Sequence, residues 1–163
     1  MNLDTLNSLS QHDFIRTLGW VFEHSPWVAE RAWPHRPFAT IDVLHGVMVD
    51  QVEKASAAEQ LALLQAHPDL GTRARISDAS TAEQAGAGLD RLTPREFELL
   101  QRLNAEYRSK YGFPFLYAVR GSTKGDILAA LEARIRNSPE QEYREALRNV
   151  YRIARFRIED SMD

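Results

Sequence analysis

TPREFELLQRLNAEYRSKYGFPFLYAV, running from Thr93 to Val119, is the stretch whose reading decides the fold. Thr93-Pro94-Arg95-Glu96 has the form of a helix start: a capping hydroxyl, proline at the first helical position and glutamate at the third. Phe97, Leu100, Leu103 and Tyr107 then recur at steps of three, three and four, which is one apolar helix face. Gly112 supplies a stop. The next segment, Phe113-Pro114-Phe115-Leu116-Tyr117-Ala118-Val119, is short, apolar and interrupted by proline, so it reads as extended chain. No other segment reads as a strand, and one strand makes no sheet. The expectation is an all-α, single-domain bundle of about seven or eight helices covering residues 1–163.

Outward from this stretch, nearly every segment carries helix punctuation. Ser10 caps a helix through Leu18 that ends at Gly19. Ser25-Pro26 opens a short helix carrying Trp27 and Trp33, stopped by Pro34. Thr40 precedes a helix with Val43, Leu44, Val47 and Met48 at helical spacing. Ser56-Ala57-Ala58-Glu59 has capping-box form and begins a helix through Leu64, broken before Pro68. Ser80-Thr81-Ala82-Glu83 repeats that form. Beyond Val119, helices are expected over Lys124–Asn137 and Pro139–Asp160.

Composition narrows the class. A net charge of −3 argues against a nucleic-acid or anionic-membrane partner, because either would need a basic field. With no cysteine, disulfides, iron–sulfur clusters and thiolate zinc sites are excluded. The start, Met1-Asn2-Leu3-Asp4, lacks the basic and apolar runs of a signal peptide. No apolar run approaches the roughly 20 residues of a membrane span. A cytoplasmic location is therefore expected.

Chemistry is sought first among the five histidines: His12, His24, His35, His45 and His67. None makes a His-x3-His or His-Glu-x-x-His metal pattern, and no phosphate loop or nucleophile elbow is present. No metal and no cofactor are expected. His12 and His35 read as solvated surface, and His45 as a satisfied interior residue. His67 stands where a helix must break, ahead of Pro68, and Glu83-Gln84 follow in the next helical segment. A loop histidine can exchange a proton near neutral pH, and a nearby carboxylate can orient it. The same residues also fit an exposed loop histidine and a helix cap.

Two further features point inward. On the last helix the apolar stripe Tyr143, Leu147, Val150 and Ala154 continues to Arg157, about 20° from Val150 around the axis at 100° per residue. Arg148, Arg152 and Arg155 project away from it. A cation on a core-facing stripe needs a partner, either an internal carboxylate or a bound anion. The extended Phe113–Val119 segment in turn has backbone amides and carbonyls that no helix pairs. It could be a hydrophobic plug, or its backbone edge could hold a planar heterocycle.

These motifs together resemble the 2-oxo-4-hydroxy-4-carboxy-5-ureidoimidazoline (OHCU) decarboxylase family. The matching residues are Ser25-Pro26-Trp27, Arg36-Pro37-Phe38, Ala66-His67-Pro68-Asp69-Leu70-Gly71 and Ser80-x-x-Glu83-Gln84-x-x-Ala87-Gly88-Leu89. Asn104 through Tyr107, Gly112-Phe113-Pro114-Phe115 and Ile153-Ala154-Arg155-Phe156-Arg157 complete them. The resemblance implies an all-α homodimer and cofactor-independent decarboxylation of OHCU to (S)-allantoin in uric acid breakdown. It implies His67 and Glu83 as catalytic groups. It implies substrate contacts at Pro68, Ser80, Gln84, Phe113, Phe115, Leu116, Val119 and Arg157. Tyr117 departs from the smaller residues common at its position. Two other readings stay open at this point: a non-enzymatic helical docking module using Trp20, Trp27 and Trp33, or an enzyme acting on another cyclic ureide.

Overall fold

A computed structural model describes residues 1–72 and 76–163. Among them are nine α-helices and no strand: α1 (Leu3–Ser8), α2 (Gln11–Leu18), α3 (Trp27–Ala32), α4 (Ile41–Glu53), α5 (Ala57–Gln65), α6 (Asp78–Gly86), α7 (Pro94–Tyr111), α8 (Lys124–Arg134) and α9 (Pro139–Ser161). Eight correspond to the expected helices. The ninth, α1, lacks a periodic apolar pattern because it is a single capped turn and a half, with the Asn2 side chain accepting from Thr5 N–H.

Local chemistry sets most of the boundaries. Ser10 and Thr40 cap α2 and α4, each side chain accepting a backbone N–H three residues on. Ser56 with Glu59, Thr93 with Glu96 and Thr123 with Asp126 form reciprocal capping boxes. Gly112 ends α7 at φ 82°, the left-handed conformation that favours glycine. Gly19 ends α2 as expected, in an ordinary right-handed conformation. Two boundaries differ from expectation. Pro34 lies inside a 3-10 turn, Trp33–His35, that extends α3 rather than stopping it. The helix α8 ends at Arg134, not Asn137.

The described chain divides into two units, one of residues 1–66 with 150–163 and one of residues 67–149. In the first, α3 packs on α2 and α4, burying Phe14, Leu18, Val28, Leu44, Met48 and Ile158. Asn7 stitches this unit: its amide donates to Phe38 O at 3.0 Å and accepts from Phe38 N–H at 2.8 Å. Arg36 donates to the carbonyls of Trp33, Asn7 and Leu9. Val43, expected on the apolar face of α4, is instead exposed, and Val52 is buried one turn past Met48. In the second unit α7 packs on α8, around Leu100, Leu103, Tyr107, Phe115, Ile127 and Leu131. No helix among the described residues is long and apolar enough to cross a membrane.

His45 is half-buried on α4, with Nε2 2.8 Å from Tyr151 O. Burial lowers its pKa below the ordinary 6.5, outweighing the carbonyl that favours the proton; Arg155 pushes the same way as burial. The unfolded chain therefore binds a proton there more readily than the folded one. The stability contributed by the neutral ring is complete above pH 6.5 and is lost as pH falls through the lowered folded value. Urea midpoints measured from pH 7.5 to 5 should drop more steeply for the native chain than for His45→Gln.

Candidate functional site

His67 follows directly on α5, whose C-cap is Ala66. It is only 6% exposed, so it is not the solvated loop histidine that its position before Pro68 allows. The residues after it are clamped from two helices. From α6, Gln84 Oε1 accepts from Gly71 N–H at 2.8 Å. From α7, Asn104 Nδ2 donates to Leu70 O at 2.9 Å and Arg108 Nη2 donates to Asp69 Oδ1 at 2.9 Å. Asn104 and Arg108 are four residues apart and share a helix face. Gly71 adopts φ +73°, and a Cβ built there would lie 2.5 Å from Leu100 Cδ2. The residues just after His67 are thus held by three side chains and one glycine.

The helix α6 begins earlier than its sequence form suggested. Ser77 is its N-cap, accepting from Ser80 N–H, and the helix proper starts at Asp78. Ser80-Thr81-Ala82-Glu83 is therefore helix interior, and Glu83 is not a cap. The capping-box form was misleading because Ser77, three residues upstream, takes the cap role and leaves Ser80 in the first turn. The buried face of α6 carries Ser80 and Gln84, at 6% and 8% exposure, one turn apart, with Glu83 half-buried beside them.

The Phe113–Val119 segment, read from its sequence as extended, belongs to neither helix nor sheet. Phe113, Phe115, Leu116, Ala118 and Val119 are buried. Several of its backbone groups have protein partners: Leu116 O accepts from Arg134 Nη1 at 2.6 Å, Ala118 N–H donates to Asn149 Oδ1 at 3.0 Å, and Val119 O accepts from Ser122 N–H at 3.0 Å. Tyr117 is half-buried, stacks 5.9 Å from Phe115 and pairs its hydroxyl with Ser122 Oγ.

Arg157 lies in the first unit and is 4% exposed, as its place on the α9 stripe implied. The internal carboxylate is Glu23, 2% exposed, which accepts from Arg157 Nη2 at 2.8 Å. Trp20 O accepts from Nη1 at 3.2 Å. Arg155 instead faces the surface, paired with Asp42 and Glu159. Of the three tryptophans, Trp20 is exposed. Trp27 and Trp33 are half-buried, each with a guanidinium over its ring, from Arg31 at 4.5 Å and Arg36 at 4.0 Å.

Comparison with known proteins bears on what this arrangement does. The family model described as OHCU decarboxylase matches residues 7–159. The chain belongs to the OHCU decarboxylase family. A 2-oxo-4-hydroxy-4-carboxy-5-ureidoimidazoline decarboxylase of Haloferax volcanii is 47% identical over 158 residues, 97% of this chain and 94% of that protein. One of Halalkalicoccus jeotgali is 46% identical over 160 residues, 98% of this chain and 91% of that protein. A crystal structure of (S)-allantoin synthase superposes with a TM-score of 0.81 at 35% identity, covering all of this chain and 54% of that one. This chain thus spans about half the length of that synthase. Membership makes the protein an enzyme, a carboxy-lyase.

Within this decarboxylase-family chain, sequence reading missed the groups that support the site. Glu142 is fully buried and accepts from Tyr107 Oη at 2.5 Å, Arg134 Nε at 2.9 Å and Asn137 Nδ2 at 2.9 Å. Its signal was present: Glu142 lies four residues before buried Ala146 and eight before Val150, so a carboxylate interrupts the inner face of α9. Asn104 sits on the same α7 face as Leu100 and Tyr107 and could have been found similarly. Among the described residues, no three His, Asp or Glu side chains group as a metal site.

The Gly71 geometry gives a direct test of the clamp. A left-handed residue with a Cβ costs about 1–2 kcal/mol, and Leu100 must also move. Gly71→Ala should lose at least that much stability in urea denaturation, with activity falling alongside because the His67 loop shifts.

Proposed function

We propose that the protein decarboxylates OHCU to (S)-allantoin in urate degradation, without a cofactor, using His67 and Glu83 as catalytic groups. The observation that carries this reading is a buried histidine on a loop held by Gln84, Asn104 and Arg108. Rigid placement of a titratable group beside a carboxylate-bearing helix is what a stereospecific proton transfer needs.

The chemistry suits a protein that supplies only position, charge and protons. The carbon that loses CO2 also carries a hydroxyl and adjoins an imine-type carbon bearing the ureido group. As the C–CO2 bond breaks, its electron pair moves into the adjacent C–N system and the imine nitrogen takes a proton. The resulting enol then loses its hydroxyl proton to become a carbonyl, while the neighbouring carbon receives a proton on one face. The ring is its own electron sink, so no pyridoxal or thiamine is required. His67 is assigned to the hydroxyl and carboxylate region as the acid–base group. Glu83 orients His67 or accepts from substrate N–H and hydroxyl groups. Pro68, Ser80 and Gln84 contact the substrate, Gln84 at the ureido arm. Phe113, Phe115, Leu116 and Val119 hold the ring.

The same reading takes residues 1–163 as one catalytic domain, working as a cytoplasmic homodimer with no nucleic-acid or membrane partner. Light scattering on the purified protein should return the mass of two chains.

Freshly prepared OHCU, with product followed by the circular dichroism of (S)-allantoin, tests the activity. His67→Asn keeps a polar group of similar shape and should lower turnover by about 10²–10⁴-fold, the usual cost of losing an acid–base group. Glu83→Gln should lose activity with little change in melting temperature. A folded His67→Asn protein with near-native turnover would remove His67 from the mechanism.

Arg157 is assigned an oxygen of the substrate, in addition to its bond to Glu23. Lysine keeps the charge opposite Glu23 but loses the planar fork that grips two oxygens. Arg157→Lys should therefore weaken binding or turnover, while Arg155→Lys, changed at the surface, should be nearly silent. Sensitivity at Arg155 instead would require a different assignment of the helix faces.

A further inference from the structure

We propose that Arg134 is a positioning residue for the reaction: balanced by buried Glu142, it fastens one edge of the Phe113–Val119 segment and so presents the opposite backbone edge to substrate. This rests on the reading that the segment holds the substrate ring.

In an extended chain, residues two apart direct their backbone groups to the same side. Leu116 and Ala118 are such a pair. Arg134 Nη1 takes the Leu116 carbonyl at 2.6 Å, and Asn149 Oδ1 takes the Ala118 N–H at 3.0 Å. That edge is thereby occupied, and extended geometry turns the groups of Phe115 and Tyr117 the other way. A backbone edge of alternating N–H and C=O suits a ring with amide edges, and holding it still avoids an ordering cost on binding.

The guanidinium does more than pair with Glu142. Its Nε donates to Glu142 at 2.9 Å, and its carbon sits 4.6 Å from the Phe115 ring centroid. Nη2 is buried with no hydrogen-bond partner among the described residues. An arginine placed only to neutralise Glu142 would do better with both ends of its fork on the carboxylate. Here the fork is turned so that one arm meets Leu116 O, at the cost of an unmade bond. Glu142 in turn is held by Tyr107 and Asn137, and Tyr107 sets its ring against Phe113 and Phe115 at 6.0 and 5.4 Å. Burial, with the Glu142 hydrogen bond next, raises the Tyr107 pKa far above its ordinary value, so the phenol stays a donor.

Lysine at position 134 would place its nitrogen near the position of the guanidinium carbon. It still meets Glu142 but falls short of Leu116 O. Wild type and Arg134→Lys are compared for KM and kcat with freshly prepared OHCU, alongside urea midpoints. Arg134→Lys should raise KM about 10-fold and leave kcat within about twofold, the pattern of binding lost equally from ground and transition states. A second variant, Arg134→Met with Glu142→Gln, removes both charges together so that neither is left buried alone. It too should fold and show the raised KM. A folded variant of either kind with wild-type KM overturns the proposal, as does a fall in kcat and stability at unchanged KM. Failure of both variants to fold, with the wild type active, would place Arg134 in the scaffold alone and also overturn it. A wild type that makes no allantoin would overturn the functional reading itself, a result seen before any variant is compared.

Discussion

The residues from 67 to 149 are organised around a single constraint, the carboxylate of Glu142, which has no exposure to water. A charge-bearing group in that position must be surrounded by donors, and removing one partner from a buried pair costs roughly 3–5 kcal/mol. Three donors from different parts of the chain meet it. Tyr107 comes from α7, Arg134 from the end of α8 and Asn137 from the turn before α9. Their mutual positions are thereby set to hydrogen-bonding tolerance. Tyr111 adds to the same corner, its hydroxyl donating to the carbonyls of Arg134 and Asn137.

From that centre the order spreads along α7. Asn104, Tyr107 and Arg108 occupy one helix face at spacings of three and four. Asn104 and Arg108 hold Leu70 and Asp69 beside His67, while Tyr107 reaches Glu142 and, through Arg134, the Leu116 carbonyl. One helix face therefore governs both the histidine loop and the extended segment. A catalyst with no cofactor has only geometry and proton affinity to work with. Side chains held by α7 and α6 supply the geometry, and those of Asn104 and Gln84 act through buried hydrogen bonds.

The end of α9 solves a similar problem with a buried ion pair. Arg157 and Glu23 are both nearly inaccessible and form an ion pair at 2.8 Å. The wheel argument correctly put Arg157 on the inner face, with Arg155 outside, because helical periodicity is a local property. It could not choose the partner, because Glu23 is 134 residues away in sequence.

What the amino-acid sequence determined by itself was whatever depends on neighbours within about one helical turn. Caps at Ser10, Thr40, Ser56 and Thr93, the glycine stop at 112 and the non-helical run after it are all visible without tertiary contacts. The one capping form that misled, Ser80 to Glu83, failed within the same range, because a competing serine stood three residues upstream. Only the tertiary structure decided that His67 is buried and which donors surround Glu142. It also decided that Leu116 O belongs to Arg134 and that Gly71 must be left-handed against Leu100. Most of these join residues from different elements of the chain. A buried polar group must find a partner, but periodicity records only that it points inward, not what it meets there.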